Sequence, residues 1–176
     1  MHPPDFMPFR VRWTDSIGSP GFRDGFAAFH HGQRERWTPE NWWLELGVWA
    51  DGTLVGIQAL SGIDFATERR GETASWLGLS FQGRGYGTEM RSAVLELLFG
   101  GLGARAASSG AVEGNSASAR VSEKLGYVVS GHASFDRNGE LVAETGFRLE
   151  RDEWLARERP AVEIVGVEPG LPLFGV

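Results

Sequence analysis

The chain has 176 residues, 17 basic against 23 acidic side chains, a net charge of −6, 25 glycines and no cysteine. Eleven Phe and seven Trp supply enough apolar surface to exclude disorder, and the acidic balance makes a general nucleic-acid or anionic-membrane binder a poor fit. Without cysteine there is no disulfide framework, thiolate nucleophile or cysteine-ligated metal; the four His show no ligand spacing, so no metal site is expected.

Residues 1–20 carry Pro3, Pro4, Pro8, Gly18 and Pro20 and read as an extended, turn-rich opening segment. Phe22, Phe26 and Phe29 recur at helical spacing and predict a helix over 22–37. Thr38-Pro39-Glu40 has the N-cap, N1 proline and acidic first turn of a short second helix. Two apolar runs, Leu44–Ala50 and Thr53–Leu60, meet at Asp51-Gly52, a hairpin turn. A loop holding Asp64 and Glu68-Arg69-Arg70 leads to a strand over Thr73–Phe81. Thr88–Phe99 then reads as a helix with Met90, Val94, Leu97 and Leu98 on one side, stopped by Gly100 and Gly101. Arg105–Ser109 is a short strand, and Asn115 and Ser116 can cap a helix over Ala117–Leu125, closed by Gly126. Tyr127–Asp136 and Glu140–Leu149 flank a second hairpin turn, Asn138-Gly139. Past Pro160, Val162–Val167 predicts one more strand. Hairpins combined with one strand–helix–strand crossover give an α/β fold with a mixed sheet in a single domain, 1–176. No run approaches a membrane span and no signal peptide opens the chain, so a soluble, cytoplasmic protein is expected.

The densest glycine cluster, Gln82-Gly83-Arg84-Gly85-Tyr86-Gly87-Thr88, falls between a predicted strand and a predicted helix. Free amides at a helix start, with no side chains in the way, make an anion site. The same residues also read as a strand–helix turn with no ligand. The loop is not a Walker motif, because no Lys-Ser/Thr pair follows, and it lacks the third glycine of a dinucleotide fingerprint, which falls at Met90.

Gln82-Gly83-Arg84-Gly85-Tyr86-Gly87 resembles the Gln/Arg-x-x-Gly-x-Gly/Ala motif of GNAT-family acyl-CoA-dependent N-acyltransferases. Downstream, Asn115-x-x-Ser118-x-x-Val121-Ser122-Glu123-Lys124-Leu125-Gly126-Tyr127 resembles that family's second block. The second hairpin, ending in Phe147-Arg148-Leu149 with Trp154, is similar to the ribosomal-protein N-terminal acetyltransferase (Rim-type) branch. The resemblance spans about residues 40–155. It implies a mixed, mostly antiparallel central sheet flanked by helices, and an acyl-CoA cosubstrate. By the same resemblance, backbone groups of Trp76, Leu77 and Leu79 would meet the pantetheine arm, with the Leu79 region giving the oxyanion donor. Gln82, Gly83, Arg84, Gly85, Tyr86, Gly87 and Thr88 would hold the pyrophosphate, and Asn115, Ser118 and Lys124 would lie on the cofactor side. Residues 77–124 hold five basic and four acidic groups, a net +1 that leaves −7 for the rest of the chain.

Attack of a neutral amine on a thioester needs a deprotonated amine, an oxyanion donor and a stabilised leaving sulfur. Ser122 stands where many members of the family place a tyrosine. It could hydrogen-bond the leaving thiolate, or it is a plain helix serine. Tyr127 reads as core. Asp64, Glu72 and Glu144 are candidate bases, with His132 behind them; each also reads as a solvated surface charge. Freeing an α-amine at pH 7 costs about 1 kcal/mol and freeing a lysine about 4.6 kcal/mol, so a chain with no obvious strong base suits a low-pKa amine.

Trp37, Trp42 and Trp43 read either as an aromatic wall of the acceptor pocket or as core. Arg10, Arg12 or Arg36 could pair with a carboxylate. Met7-Pro8-Phe9, Gln58-Ala59-Leu60 and Ser75-Trp76-Leu77-Gly78-Leu79 are similar to stretches of actinobacterial members proposed to use succinyl-CoA. The acyl group is therefore read as acetyl, with succinyl as a variant. The family's usual first strand and helix appear absent from the start, which exposes a sheet edge. Val162–Val167 would cover that edge, or a homodimer would. The expected function is acyl transfer to a primary amine of a protein N-terminus or small molecule; the rival is a catalytically weak acyl-CoA-binding or sensing module.

Overall fold

The fold comes from a computed structural model that describes residues 2, 3 and 5–176. A single helical turn, Trp13–Ser16, precedes α1 (Phe22–Glu35). The Asp51-Gly52 hairpin joins β1 (Trp42–Ala50) to β2 (Thr53–Gly62), with φ of 48° and 75° at the two turn residues, as the sequence requires. A one-turn helix, α2 (Phe65–Glu68), leads to β3 (Arg70–Leu77), and α3 (Tyr86–Glu96) runs into a π turn at Leu97–Gly101. β4 (Ala106–Val112), α4 (Ser116–Lys124) and the hairpin of β5 (Val128–Arg137) and β6 (Glu140–Glu150) complete the sheet, and α5 (Arg151–Leu155) follows.

The six strands lie in the order β1-β2-β3-β4-β6-β5, antiparallel except for the β3–β4 pair. Alternation along the strands sends Thr73, Ala107, Ser109, Phe147 and Leu149 to the face covered by α3 and α4. There Leu60, Leu95, Leu98, Phe99, Leu149 and Trp154 form the centre of the core, each 2% exposed or less. Trp154 Nε1 donates to Glu96 Oε1 at 3.1 Å, so this large buried ring is also satisfied at its polar end.

Two predicted elements do not form. Thr38-Pro39-Glu40 starts no helix: Thr38 N–H donates to the Asn41 carbonyl at 2.9 Å and its hydroxyl accepts from Asn41 N–H at 3.1 Å. That closed turn delivers the chain straight into β1. Val162–Val167 is irregular and pairs with no strand. Its place in the packing is fixed downstream instead, in the short helical segment Glu168–Phe174. Phe174 is buried edge-on against Trp37 and Trp42, at ring-centroid distances of 5.2 and 5.0 Å, and Trp37 Nε1 donates to the Leu173 carbonyl at 2.7 Å. Trp37 and Trp42 are thus core, not pocket wall. The segment before α1 forms no strand among the described residues. It crosses to the far end of the sequence, where Arg137 Nη1 donates to the carbonyls of Met7 and Phe9 at 2.9 and 3.0 Å.

Candidate active site

β3 and β4 share only four register pairs, Arg70↔Ala106 to Thr73↔Ser109. Beyond them the strands part. Ala74–Leu77 stays paired with β2, and Gly110–Val112 stays paired with β6. The sheet therefore splits in its middle, and one edge of Ala74–Leu77 has no strand partner among the described residues. Unpaired strand backbone is a template for an extended amide-bearing chain.

The glycine loop stands at the open end of this split. Gly83 and Gly85 take φ of 70° and 93°, conformations that favour glycine, and open space lies where a Cβ would stand on either. Gly85 is the N-cap of α3 and brings no side chain to cap it. The amides of Gly83, Arg84, Gly85, Tyr86 and Gly87 find no acceptor among the described residues, whereas Thr88 and Glu89 already bond the Gly85 carbonyl. Five free N–H groups at the positive end of an eleven-residue helix, with no side chain filling the cradle, fit a pyrophosphate. Arg84 is exposed beside them, its guanidinium 5.4 Å from the Tyr86 ring centre. Gln82 Nε2 donates back to the Leu77 carbonyl at 3.2 Å and ties the loop to the end of β3.

On the helix-covered face of the split lies a buried polar cluster. Arg91, from the second turn of α3, is 3% exposed. Its Nη1 donates to Ser122 Oγ on α4 at 2.8 Å and its Nη2 reaches Ser75 Oγ on β3 at 3.4 Å. Ser122 is fully buried and makes a long 3.3 Å bond to the Ser118 carbonyl. Tyr127, in the core as expected, shares a 3.4 Å contact with Thr73 Oγ1. Burial pushes the Arg91 pKa down, with Tyr127 acting the other way, and burial raises the Tyr127 phenol, with Arg91 and Thr73 opposing it. Arg91 is the residue that sequence reasoning missed. The signal was present, because position 91 shares a helical face with Val94, Leu95 and Leu98.

The opposite face carries the acids. Glu144 is nearly buried and lies flat over β4 at Gly110, the first residue past the split; a Cβ at 110 would stand 2.8 Å from Glu144 Oε1. Arg10 crosses from the opening segment and grips Glu144, with Nε donating to Oε1 at 2.9 Å and Nη2 to Oε2. That hydrogen bond raises the Arg10 pKa, and Glu72 adds attraction from β3. Trp13 packs on Trp76 at 6.0 Å between centroids, so aromatic lining here comes from these two rings. Arg12 pairs with Asp15, and Arg36 bonds Gln33.

Of the predicted site residues, Leu77, Gln82 to Thr88 and Ser122 gather around the split, with Glu72 and Glu144 on its other face. Trp76 turns its carbonyl toward β2 and its ring toward Trp13. Leu79 sits exposed in the turn after β3. Asn115 caps α4, its Oδ1 accepting from Ser118 N–H at 3.2 Å. Lys124 is exposed at the far end of that helix, about 13 Å along the axis. Asp64 lies beyond the β2 end that pairs with the start of β3, away from the split, and His132 bonds Thr145 on the outer hairpin. Among the described residues no cluster of His, Cys, Asp and Glu could hold a metal, and no helix is long and apolar enough to cross a membrane.

Comparison with known proteins agrees with this architecture. Residues 4–128 match the family model described as an acetyltransferase (GNAT) domain. The fold is similar to that of Mycobacterium smegmatis RimJ in complex with CoA-disulfide, at 15% identity and a TM-score of 0.67 over 84% of this chain and 69% of that one. A chimera of the spermidine N-acetyltransferase SpeG from Vibrio cholerae with hSSAT matches at 18% identity and 0.63, over 77% and 80%. A Vibrio cholerae structure provisionally described as a ribosomal-protein-serine acetyltransferase matches at 21% and 0.56, over 73% and 71%. The motifs, the split mixed sheet and a family match over more than half the chain lead to one conclusion: the chain belongs to the GNAT acetyltransferase family, the acyl-CoA-dependent N-acyltransferases.

Proposed function

We propose that the protein transfers an acyl group, acetyl or succinyl, from acyl-CoA to a low-pKa primary amine on a protein N-terminus or a small molecule. The observation that carries this reading is the open cradle of five free amides leading into the split between β3 and β4. Acyl-CoA supplies an activated thioester. The amides of Gly83 to Gly87 bind its pyrophosphate, the free edge of Ala74–Leu77 orients its pantetheine arm, and Asn115 and Ser118 at the start of α4 flank it, while Lys124 stands at the far end of that helix. The Leu79 region offers an N–H to the carbonyl oxygen, and the Ser122 hydroxyl faces the leaving sulfur. On the other face, Glu72 and Glu144 attract the amine cation. Asp64 takes no part in this arrangement, because it stands at the wrong end of β3.

The ion pair to Arg10 bears on the acceptor. Glu144 already accepts from Arg10 with both of its oxygens, so neither stands free to take a proton from the acceptor. Deprotonating a lysine by about 4.6 kcal/mol is then harder to support than the about 1 kcal/mol of an α-amine, whose proton can leave to water. The Arg10 cation beside the split also supports the succinyl variant and, with the Rim-type resemblance, a protein N-terminus as acceptor. The test is thiol release from acetyl- and succinyl-CoA against a peptide α-amine and a lysine side-chain amine at pH 7. Turnover on the α-amine at least tenfold above lysine is expected. Tight CoA binding with no turnover on any amine would replace this reading with the acyl-CoA-binding module. Failure of both acyl-CoAs to raise Tm would overturn both.

The outer edges of β1 and β5 have no strand partner among the described residues, which supports a homodimer. Sedimentation at micromolar concentration should give twice the mass of one chain; the mass of a single chain would count against it.

A further inference from the structure

Arg91 is a buried cation without a countercharge. Among the described residues no carboxylate lies within ion-pairing distance of it, and its hydrogen-bond partners are two serine hydroxyls. Its Nε has no hydrogen-bond partner at all. Arginine cannot shed its charge as a buried lysine does, and an unpaired buried ion costs several kcal/mol. The other buried arginine, Arg137, behaves differently, bonding Glu140 and two carbonyls. An arrangement this unfavourable in the free protein has a natural complement in an anion that comes and goes.

The place of the guanidinium says which anion. It spans α4 and β3 through Ser122 and Ser75, and Ser75 belongs to the stretch of β3 just past its last pair with β4. That is the floor of the split, on the face that α3 and α4 cover, about one and a half turns along α3 from the amide cradle. Ser122 Oγ accepts from Arg91, so its single hydrogen points elsewhere. In the free protein that hydrogen has only the long 3.3 Å contact with the Ser118 carbonyl to lose.

We propose that Arg91 is a positioning residue that serves as a fixed countercharge for the leaving thiolate, acting through the hydroxyls of Ser122 and Ser75. This rests on the acyl-CoA reading above. As the C–N bond forms and the C–S bond breaks, the electron pair stays on sulfur. The amine's proton leaves to water. Ser122 turns its hydrogen from Ser118 to the sulfur, and the Arg91 charge behind it strengthens that bond in a site of low dielectric. The chain thus meets the need for a leaving-group partner with a short hydroxyl backed by a cation.

The test uses binding as well as turnover. Free CoA and desulfo-CoA, which lacks the thiol, are titrated calorimetrically against the full chain between pH 6 and 9.5. An alkyl thiol ionises near the cysteine value of about 8.5. CoA affinity should rise at least tenfold across that range in the wild type, and desulfo-CoA affinity should stay flat. In Arg91→Met the rise should disappear, with desulfo-CoA binding within twofold of wild type, kcat down about 100-fold and KM within threefold. Arg91→Lys should restore part of the rise. Because the methionine removes an unpaired buried charge, Tm of the free protein should not fall by more than a few degrees. Should Arg91→Met fail to fold, Ser122→Ala must lose the same pH rise. A rise that persists in either variant, or one equally present with desulfo-CoA, sinks the proposal while leaving acyl-CoA binding intact. Absence of binding by both ligands to the wild type would sink it together with the reading it rests on.

Discussion

Gly85→Ala should weaken CoA binding by about 100-fold or more while lowering stability by only about 1–2 kcal/mol. The two effects have separate origins. The backbone at 85 sits at φ 93°, where a Cβ costs about 1–2 kcal/mol whatever surrounds it. No protein atom lies within 4 Å of that Cβ, so the fold itself is not crowded. The space it would fill is the cradle, where the amides of Gly83 to Gly87 await an acceptor. Charge-assisted hydrogen bonds are worth about 1.5–3 kcal/mol each, so displacing a phosphate from one or two of them removes the roughly 2.7 kcal/mol that corresponds to 100-fold. Gly103→Ala is the control: it has φ 65° and open space, but lies past the far end of α3. It should show the same loss of stability and unchanged CoA affinity. Calorimetric titration and thermal melting of the two variants separate the cases; equal CoA affinity in both would show that the glycine loop does not hold the phosphates.

A second substitution should damage the scaffold itself. A Cβ on Gly56 would stand 2.2 Å from the Trp76 carbonyl oxygen and 2.9 Å from Leu77 Cδ2. These are atoms of β3, and Gly56 faces them directly across the β2–β3 ladder. Real carbon–oxygen contacts are not that short, so the strands must separate just where β3 forms one wall of the split. Overpacking against backbone has no flexible side chain to absorb it, and a loss of about 3 kcal/mol is expected, roughly 6–12 °C in Tm for a domain of this size. Acyl transfer should fall along with it, because the displaced residues carry the unpaired edge. Gly25→Ala marks the contrast. That glycine is in α1 with open space at its Cβ, and alanine should raise stability by up to about 1 kcal/mol. Chemical denaturation reads both, and a Gly56→Ala protein as stable as wild type would contradict the strand spacing.

Much of the scaffold was legible because its signals are local. Asp51-Gly52 and Asn138-Gly139 are hairpin turns by backbone chemistry alone, and both pairs take the left-handed angles that the residues allow. Phe22, Phe26 and Phe29 marked α1, and Asn115 capped α4 as its type suggests. The failures share a cause. Thr38-Pro39-Glu40 has the letters of a helix start, but Trp42 must enter the core four residues later, and the tertiary demand overrides the cap. Val162–Val167 has strand composition but pairs with no strand, because the contacts that fix the tail are the aromatic ones downstream, at Phe174. The site divides the same way. The glycine loop could be read because a helix N-terminus is a local anion site. The pairing of Arg10 with Glu144 could not, because nothing in the sequence links positions 134 apart. Arg91 stood between these cases: an arginine on an apolar helical face can be seen, but not what it faces.

That long-range link has a consequence for how the molecule assembles and breathes. Met7, Phe9 and Arg10 are held by Arg137 and Glu144, groups on the last hairpin of the sheet. Closing so long a loop is entropically slow, and nothing rewards it until β6 has docked. The opening segment is therefore the final piece to settle in folding and the first to lift in the native state. Its amides should exchange with deuterium far sooner than those of β2 or β6, by local opening that leaves the sheet intact. Each such excursion uncovers Glu144 and the Trp76 ring, so the acceptor side of the split is open for a fraction of the time set by the stability of a few hydrogen bonds.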